Sequence, residues 1–283
     1  MKRAKFEASV VTAFGILTLA FLVFPQIVVA AASLDPGTFF QFPPSGLSMT
    51  WYQQFLVDDA WRSSLLLTLT IAASSAILAT LIGGLAGIAV ARVPQSIRWL
   101  FYVLLAIPLA IPAIVIAISY YGVVLRLHMI GSLPAFIVAS TMLTSPLVAL
   151  LVVGTALGVD PKLELASLSL GAGRLRTLWK VTVPVVAPTA IVGGVLAFLS
   201  TMDEVVVSSF IVGPGQIPLA VKMFFEVQGG NPPIVLAAST ILIATSMGII
   251  GTLAFMNQLI RARRGAVVLE VVGALGPPAR PRG

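Results

Sequence analysis

Long apolar runs, broken by short charged segments, set the pattern of this chain. Stretches free of Asp, Glu, Lys and Arg cover 8–34, 63–91, 99–125, 127–159, 181–202, 205–221 and 227–260. A helix needs roughly 20 mostly apolar residues to cross the ~30 Å hydrocarbon layer of a bilayer. Five of the runs exceed 25 residues, and 181–202 joined to 205–212 makes a sixth span, interrupted only by Asp203 and Glu204. The pattern predicts an all-α membrane protein with six transmembrane helices, at about 8–32, 62–90, 99–122, 134–158, 185–212 and 233–260. The membrane domain is expected to occupy 1–264, followed by a Gly/Pro/Arg-rich tail at 265–283 that is expected to be disordered and cytoplasmic.

Two helices carry internal punctuation. Gly83 and Gly87 stand four apart in the second and offer a face for close helix contact. Pro108 and Pro112 each remove a backbone donor from the third, which predicts a static bend there. The N-terminal MKRAK followed by an apolar run resembles a secretory signal. A signal's apolar core is about 7–15 residues, whereas this run is 27, so an uncleaved first helix is expected.

Composition agrees with lipid as the solvent: 58% of the 283 residues are hydrophobic and 10% are charged, against about a quarter charged in soluble domains. The net charge of +7 is a topology signal. Of the 17 Lys and Arg residues, only Arg62, Arg126 and Lys222 fall on one side of the predicted spans. Basic residues concentrate in cytoplasmic loops, so both termini are expected in the cytoplasm. No basic run interleaved with stacking aromatics suggests a nucleic-acid partner. The chain has no cysteine, which excludes disulfides and thiol chemistry, and its one histidine, His128, lies in a short outer loop. A phosphate loop of the form G-x-x-x-x-G-K-[ST] is absent, as are H-E-x-x-H and G-x-S-x-G.

Two segments do not fit a plain bundle. The first is the cytoplasmic loop at 159–184, VDPKLELASLSLGAGRLRTLWKVTVP. Asp160-Pro161 is a helix start and Gly171 a helix stop, enclosing Leu163, Leu165, Leu168 and Leu170. A helix this short is marginal alone, and its leucines point in too many directions for one face to bury. It calls for an external groove or for the lipid interface.

The second is FLSTMDEVVVSSF at 198–210. Ionisable residues inside spans usually face a bundle interior or a wet cavity. On a continuous helix Glu204 shares a face with Ser200, Thr201 and Ser208, whereas Asp203 points about 100° away. Glu204 is therefore the candidate for lining a pathway, and Asp203 for holding a neighbouring helix or gate. The other reading is that both acids serve folding only. Asp203 lies 19 residues beyond Pro184, about 28 Å along a helix, which places the pair in the outer half of the span.

The 159–184 loop resembles the coupling loop of binding-protein-dependent ABC transporter permeases, whose signature is Glu-Ala-Ala, three residues, Gly, and a closing hydrophobic-Pro pair. Gly171 and Val183-Pro184 fit the spacing. The triplet falls on Leu165, Ala166 and Ser167, where only the alanine matches, and Glu164 stands one position early. Asp203-Glu204, three valines, Ser208 and Gly213-Pro214 resemble the spermidine/putrescine subgroup. The resemblance implies the permease subunit of an ATP-driven importer in a bacterial inner membrane. Its partners would be two ATPase subunits docked on the coupling helix, a second permease, and a periplasmic binding protein that delivers a polyamine or similar organic cation. It implies no cofactor on this chain, with ATP and magnesium held by the ATPases. The competing class is a secondary transporter or channel subunit that works without ATP.

Overall fold

A computed structural model of the chain describes residues 2–39, 41–230, 233–252 and 255. The expected tail at 265–283 and the last turns of the sixth predicted helix lie outside the described residues. The elements are α1 (Lys2–Ala32), α2 (Thr50–Val57), α3 (Asp59–Arg92), α4 (Gln95–Ala110), α5 (Ala113–Arg126), α6 (Leu133–Leu157) and α7 (Pro161–Ser169). They continue with α8 (Arg174–Thr177), a π-helical turn (Leu178–Thr182), α9 (Val183–Met202), α10 (Val206–Ile211) and α11 (Leu219–Gln228). The last is α12 (Pro233–Thr252).

Five helices are long and apolar enough to cross a bilayer alone: Val11–Ala32 within α1, then α3, α6, Arg174–Met202 and α12. The sixth span exists only as the pair α4–α5, bent by 90° at the break between them. The predicted helix at 99–122 is therefore two helices, and one proline causes it. Pro112 pushes the preceding residue out of the helical region, and Ile111 accordingly adopts φ −73°, ψ 132°. Pro108 remains inside α4 without ending it.

The fifth predicted helix, 185–212, is also two. It starts earlier, because α8, the π turn and α9 run on as one 29-residue span. It stops at Met202, and α10 begins at Val206. Pro184, at the start of α9, offers no N–H to the turn before it, and a widened π turn is one of the ways a helix absorbs such a gap.

The core is α3, α6 and α9, which pack most extensively on one another. Glycines set their spacing. A Cβ on Gly83 would lie 2.5 Å from the Ser145 carbonyl, and one on Gly87 would lie 2.6 Å from the Ala149 carbonyl. Val148, fully buried, fills the space between α3 and α9 and lies 3.1 Å from where Gly193 would carry a Cβ. Around it Ala79, Ile88, Val152, Val186, Ala190 and Ala197 complete an apolar cluster. A second cluster joins α5 and α10 to α3 and α6 through Ala117, Val124, Val207, Ile211, Ile71 and Phe136.

A third cluster, built on Phe55, Trp61, Leu219 and Ile234, closes the end at which α3 begins. There the Leu219 N–H donates to the Thr68 hydroxyl at 2.7 Å. Beyond α1, Asp35 is almost wholly buried and accepts from the Ser45 hydroxyl at 2.6 Å. That bond holds its carboxyl below the usual carboxylate range, with burial opposing.

Replacing Gly87 with Val should force α3 and α6 apart and cost about 1–3 kcal/mol by overpacking. Gly154, with open space at its Cβ position, should accept Ala. Melting of the purified chain in detergent checks this: Gly87→Val is expected several degrees lower and Gly154→Ala unchanged.

Candidate translocation site and docking helix

The loop after α6 forms the helix that its punctuation predicts. Asp160 caps α7 by accepting the Lys162 N–H at 2.9 Å, with Pro161 in the first turn. At the other end the Gly171 N–H reaches the Leu168 carbonyl at 2.9 Å, and the Ala172 N–H reaches Ser167 at 3.1 Å. This pair of bonds around a left-handed residue is a Schellman stop, and Gly171 has φ +83° as it requires.

The faces of α7 are reversed from those of an ordinary surface helix. Glu164 and Ser167, three apart on one side, turn inward. Glu164 pairs with Arg92 at the end of α3 (2.5 Å) and accepts from the Thr182 hydroxyl of the π turn (2.6 Å). Arg92 also donates to Thr182 at 2.8 Å, and Ser167 and Thr177 share a hydrogen bond of 3.0 Å. The apolar side chains point outward: Leu163, Leu165, Leu168 and Leu170 are all exposed, Leu170 by 88%. Ala166, Gly171 and Pro184 are exposed as well.

The acidic pair sits in the break between α9 and α10. Asp203 ends α9 with φ −102°, ψ 6°. Glu204 folds over the start of α10, where its carboxylate accepts the N–H of Val207 at 2.7 Å, the N–H of Ser208 at 2.8 Å and the Ser208 hydroxyl at 2.8 Å. Breaking a helix frees N–H groups that must find acceptors, and in a span there is no water to supply them. Glu204 meets that need. The continuous helix assumed for the acids is thus corrected, and Ser208 meets Glu204 through the cap.

The two acids open onto different spaces. Glu204 lines a cavity of about 170 Å³ with Ser200 and Thr201 of α9, Ser140, Leu143, Thr144 and Leu147 of α6, and Leu109 of α4. Asp203 is exposed, its carboxylate makes no hydrogen bond or ion pair among the described residues, and it borders a larger cavity of about 460 Å³. The walls of that second space come from α1 (Leu22, Val23, Gln26), from α9, and from α12 (Leu242 through Ile250). Glu204 thus stands beside Ser140, Leu143, Thr144 and Leu147, around the middle of α6.

Sequence reasoning missed Ser140 and Thr144, although ASTMLTS at 139–145 is a hydroxyl-rich patch in an apolar run. It also treated Arg92 as a topology charge only. Nothing local marks its pairing with Glu164, which is 72 residues away.

The chain is thus a bundle of membrane-length helices with broken spans, a lined cavity, and at one end a short helix whose leucines face outward. Residues 79–265 match the family described as binding-protein-dependent transport system inner membrane component. The chain belongs to that family: it is a permease subunit of an ABC importer, a multi-pass protein of the inner membrane. It is 30% identical over 240 residues to the putrescine transport system permease protein PotI of Escherichia coli K12, covering 78% of this chain and 84% of that one. Identity to the spermidine/putrescine permease PotC of the same organism is 31% over 233 residues, covering 81% and 86% of the two chains. The PotC of Haemophilus influenzae is 28% identical, over 88% and 95%. Among solved structures, a bacterial alginate ABC transporter in complex with an alginate pentasaccharide-bound periplasmic protein shares the fold, with a TM-score of 0.70 at 17% identity, over 92% and 96%.

Removing either partner of the Arg92–Glu164 pair should loosen α7 without unfolding the bundle. Arg92→Gln and Glu164→Gln are each expected to speed amide exchange of residues 161–169 roughly threefold to tenfold. The double variant should exchange no faster than the single ones, because one shared contact is lost.

Proposed function

We propose that the chain carries a polyamine or similar organic cation across the inner membrane, with ATP hydrolysed by two ATPase subunits, one of them docked on α7. The observation that carries the coupling reading is the inverted α7. Its polar face is tied to the ends of α3 and α9 through Glu164, and its leucines are left for a partner's groove. Leu165, Ala166, Ser167, Gly171 and Pro184 belong to this device: Leu165 and Ala166 on the outward side, Ser167 on the inward side, Gly171 as the stop and Pro184 at the π turn. A helix held this rigidly transmits a push from its outer face into α3 and α9, the frame of the bundle.

The substrate reading rests on Glu204 and on the polyamine transport of the relatives. A carboxylate with Ser200, Thr201 and Ser208 around it suits a cation, and Asp203 adds a second negative charge at the same level. A second permease subunit would complete the pathway, and a periplasmic binding protein would deliver the solute, as the alginate transporter's periplasmic protein stands in complex with that transporter. The excess of basic residues on one side of the spans supports both termini in the cytoplasm. Transport follows alternating access, with nucleotide biasing inward-open against outward-open states. An ATP-independent carrier is not favoured, since family membership and α7 both point to an external motor.

Uptake of labelled putrescine into proteoliposomes holding the whole complex tests this. Uptake is expected only with ATP, the ATPase subunits and the binding protein present, and uptake without ATP would overturn the coupling reading. Glu204→Gln and Asp203→Asn should assemble yet lower uptake at least tenfold; normal uptake by both would remove the acids from the pathway. Leu168→Asp should abolish substrate-stimulated ATP hydrolysis while leaving membrane insertion intact.

A further inference from the structure

The hydroxyls around Glu204 are not interchangeable polar groups, because their protons are already assigned. A threonine hydroxyl has one proton to donate and two lone pairs. Thr144 donates its proton to the Ser140 carbonyl at 2.7 Å, and Thr201 donates to the Ala197 carbonyl at 2.9 Å. Both oxygens can therefore only accept from anything in the cavity. Glu204 can only accept as well. A carboxylate offers about four lone-pair sites, and the cap of α10 fills three of them, two on Oε2 and one on Oε1. One position on Oε1 stays open while the cap is intact.

Ser140 adds an independent sign. It is 3% exposed, lines the cavity, and its hydroxyl makes no hydrogen bond among the described residues. Its oxygen is open to the cavity rather than sealed in the core, so it is available to bond whatever occupies that space. Ser140 and Ser200 are free to rotate and can accept too.

We propose that Ser140, Thr144, Thr201 and Glu204 form a subsite for one primary ammonium group and its first few methylenes, and that the α6 hydroxyls set its preference for donor-only solutes. The inference rests on the reading that this cavity belongs to the pathway. An ammonium has three protons and no acceptor, which complements Oε1 and the two threonine oxygens together. A solute that brings lone pairs finds donors only in the two serines. Leu109, Leu143 and Leu147 form the remaining wall and favour an alkyl group over a bare metal cation. At about 170 Å³ there is room for about six heavy atoms, by comparison with the ~150 Å³ cavities that hold benzene. One end of a diamine fits, and Glu204 need not release α10 to receive it.

The chain has no cysteine, so a single introduced one reports on the cavity. Leu143→Cys, with Leu147→Cys as a second position, is reacted in the assembled complex with aminoethyl and sulfonatoethyl methanethiosulfonate. Each rate on this subunit is normalised to the same reagent's rate with a free thiol in water. The cationic reagent is expected to be favoured at least tenfold, and the preference should collapse towards parity when Glu204→Gln is added. Putrescine should slow the reaction at least fivefold, whereas 1,4-butanediol and sodium at equal concentration should not. Thr144→Val should remove most of that protection. Equal normalised rates, equal protection by putrescine and butanediol, protection by sodium, or no reaction at either cysteine in any nucleotide state would overturn the subsite. Amine-selective labelling in a complex that takes up no putrescine would remove the transport reading and keep the subsite. Putrescine uptake without the selectivity would do the reverse.

Discussion

Lipid tails are as apolar as leucine, so helices in a bilayer gain little by hiding apolar surface from one another and must hold together by close contact. Here that contact is the glycine-spaced approach of α3, α6 and α9 around Val148. With no Cβ on Gly83 and Gly87, the backbone of α3 lies directly against the Ser145 and Ala149 carbonyls. With none on Gly193, α9 closes on the other side of the same valine. Residues on all three helices are thereby fixed in register, and every functional feature hangs from one of them. Arg92 ends α3, the cavity hydroxyls lie on α6 and α9, and the π turn with Thr182 opens α9.

Against this frame stand two interrupted spans, broken by opposite chemistry. At Ile111-Pro112 the interruption comes from a residue that withholds a donor. At 203–205 the freed donors are present, and a charged acceptor is brought to them. The second solution is unusual, because a carboxylate in an apolar layer is costly unless it is well paired. Its hydrogen bonds to the N–H groups of α10 offset that cost, and one lone-pair position on Oε1 is left over beside the cavity. A neutral cap would have satisfied the backbone without leaving a charge.

Much of the architecture was legible. Run lengths located the spans, Gly83 and Gly87 their tightest contact, and Asp160-Pro161 and Gly171 both ends of α7, because each of these signals is local. The breaks were harder. Apolar runs read the same whether one helix or two passes through them, so 99–122 and 185–212 looked continuous. The acids were visible as an anomaly, yet their meaning depended on the backbone: on a straight helix Ser208 is a neighbour of Glu204, and on a broken one it is the group being capped. Ser200 and Thr201, which precede the break, line the same cavity as Glu204. Ser140, Thr144, Arg92 and Thr182 reach their partners through tertiary packing, which no spacing rule along the chain encodes.

The Gly131 N–H donates to the Ile211 carbonyl at 2.8 Å, and a Cβ on Gly131 would lie 2.8 Å from the Gly213 Cα. These two glycines sit just past the far ends of α5 and α10, the distal halves of the two interrupted spans. The same halves share an apolar seam along their length. Together they form a single leaf with two hinge lines, one of proline and one of acid. As long as the glycine clasp and the seam hold, α10 cannot tilt at its hinge without carrying α5 with it.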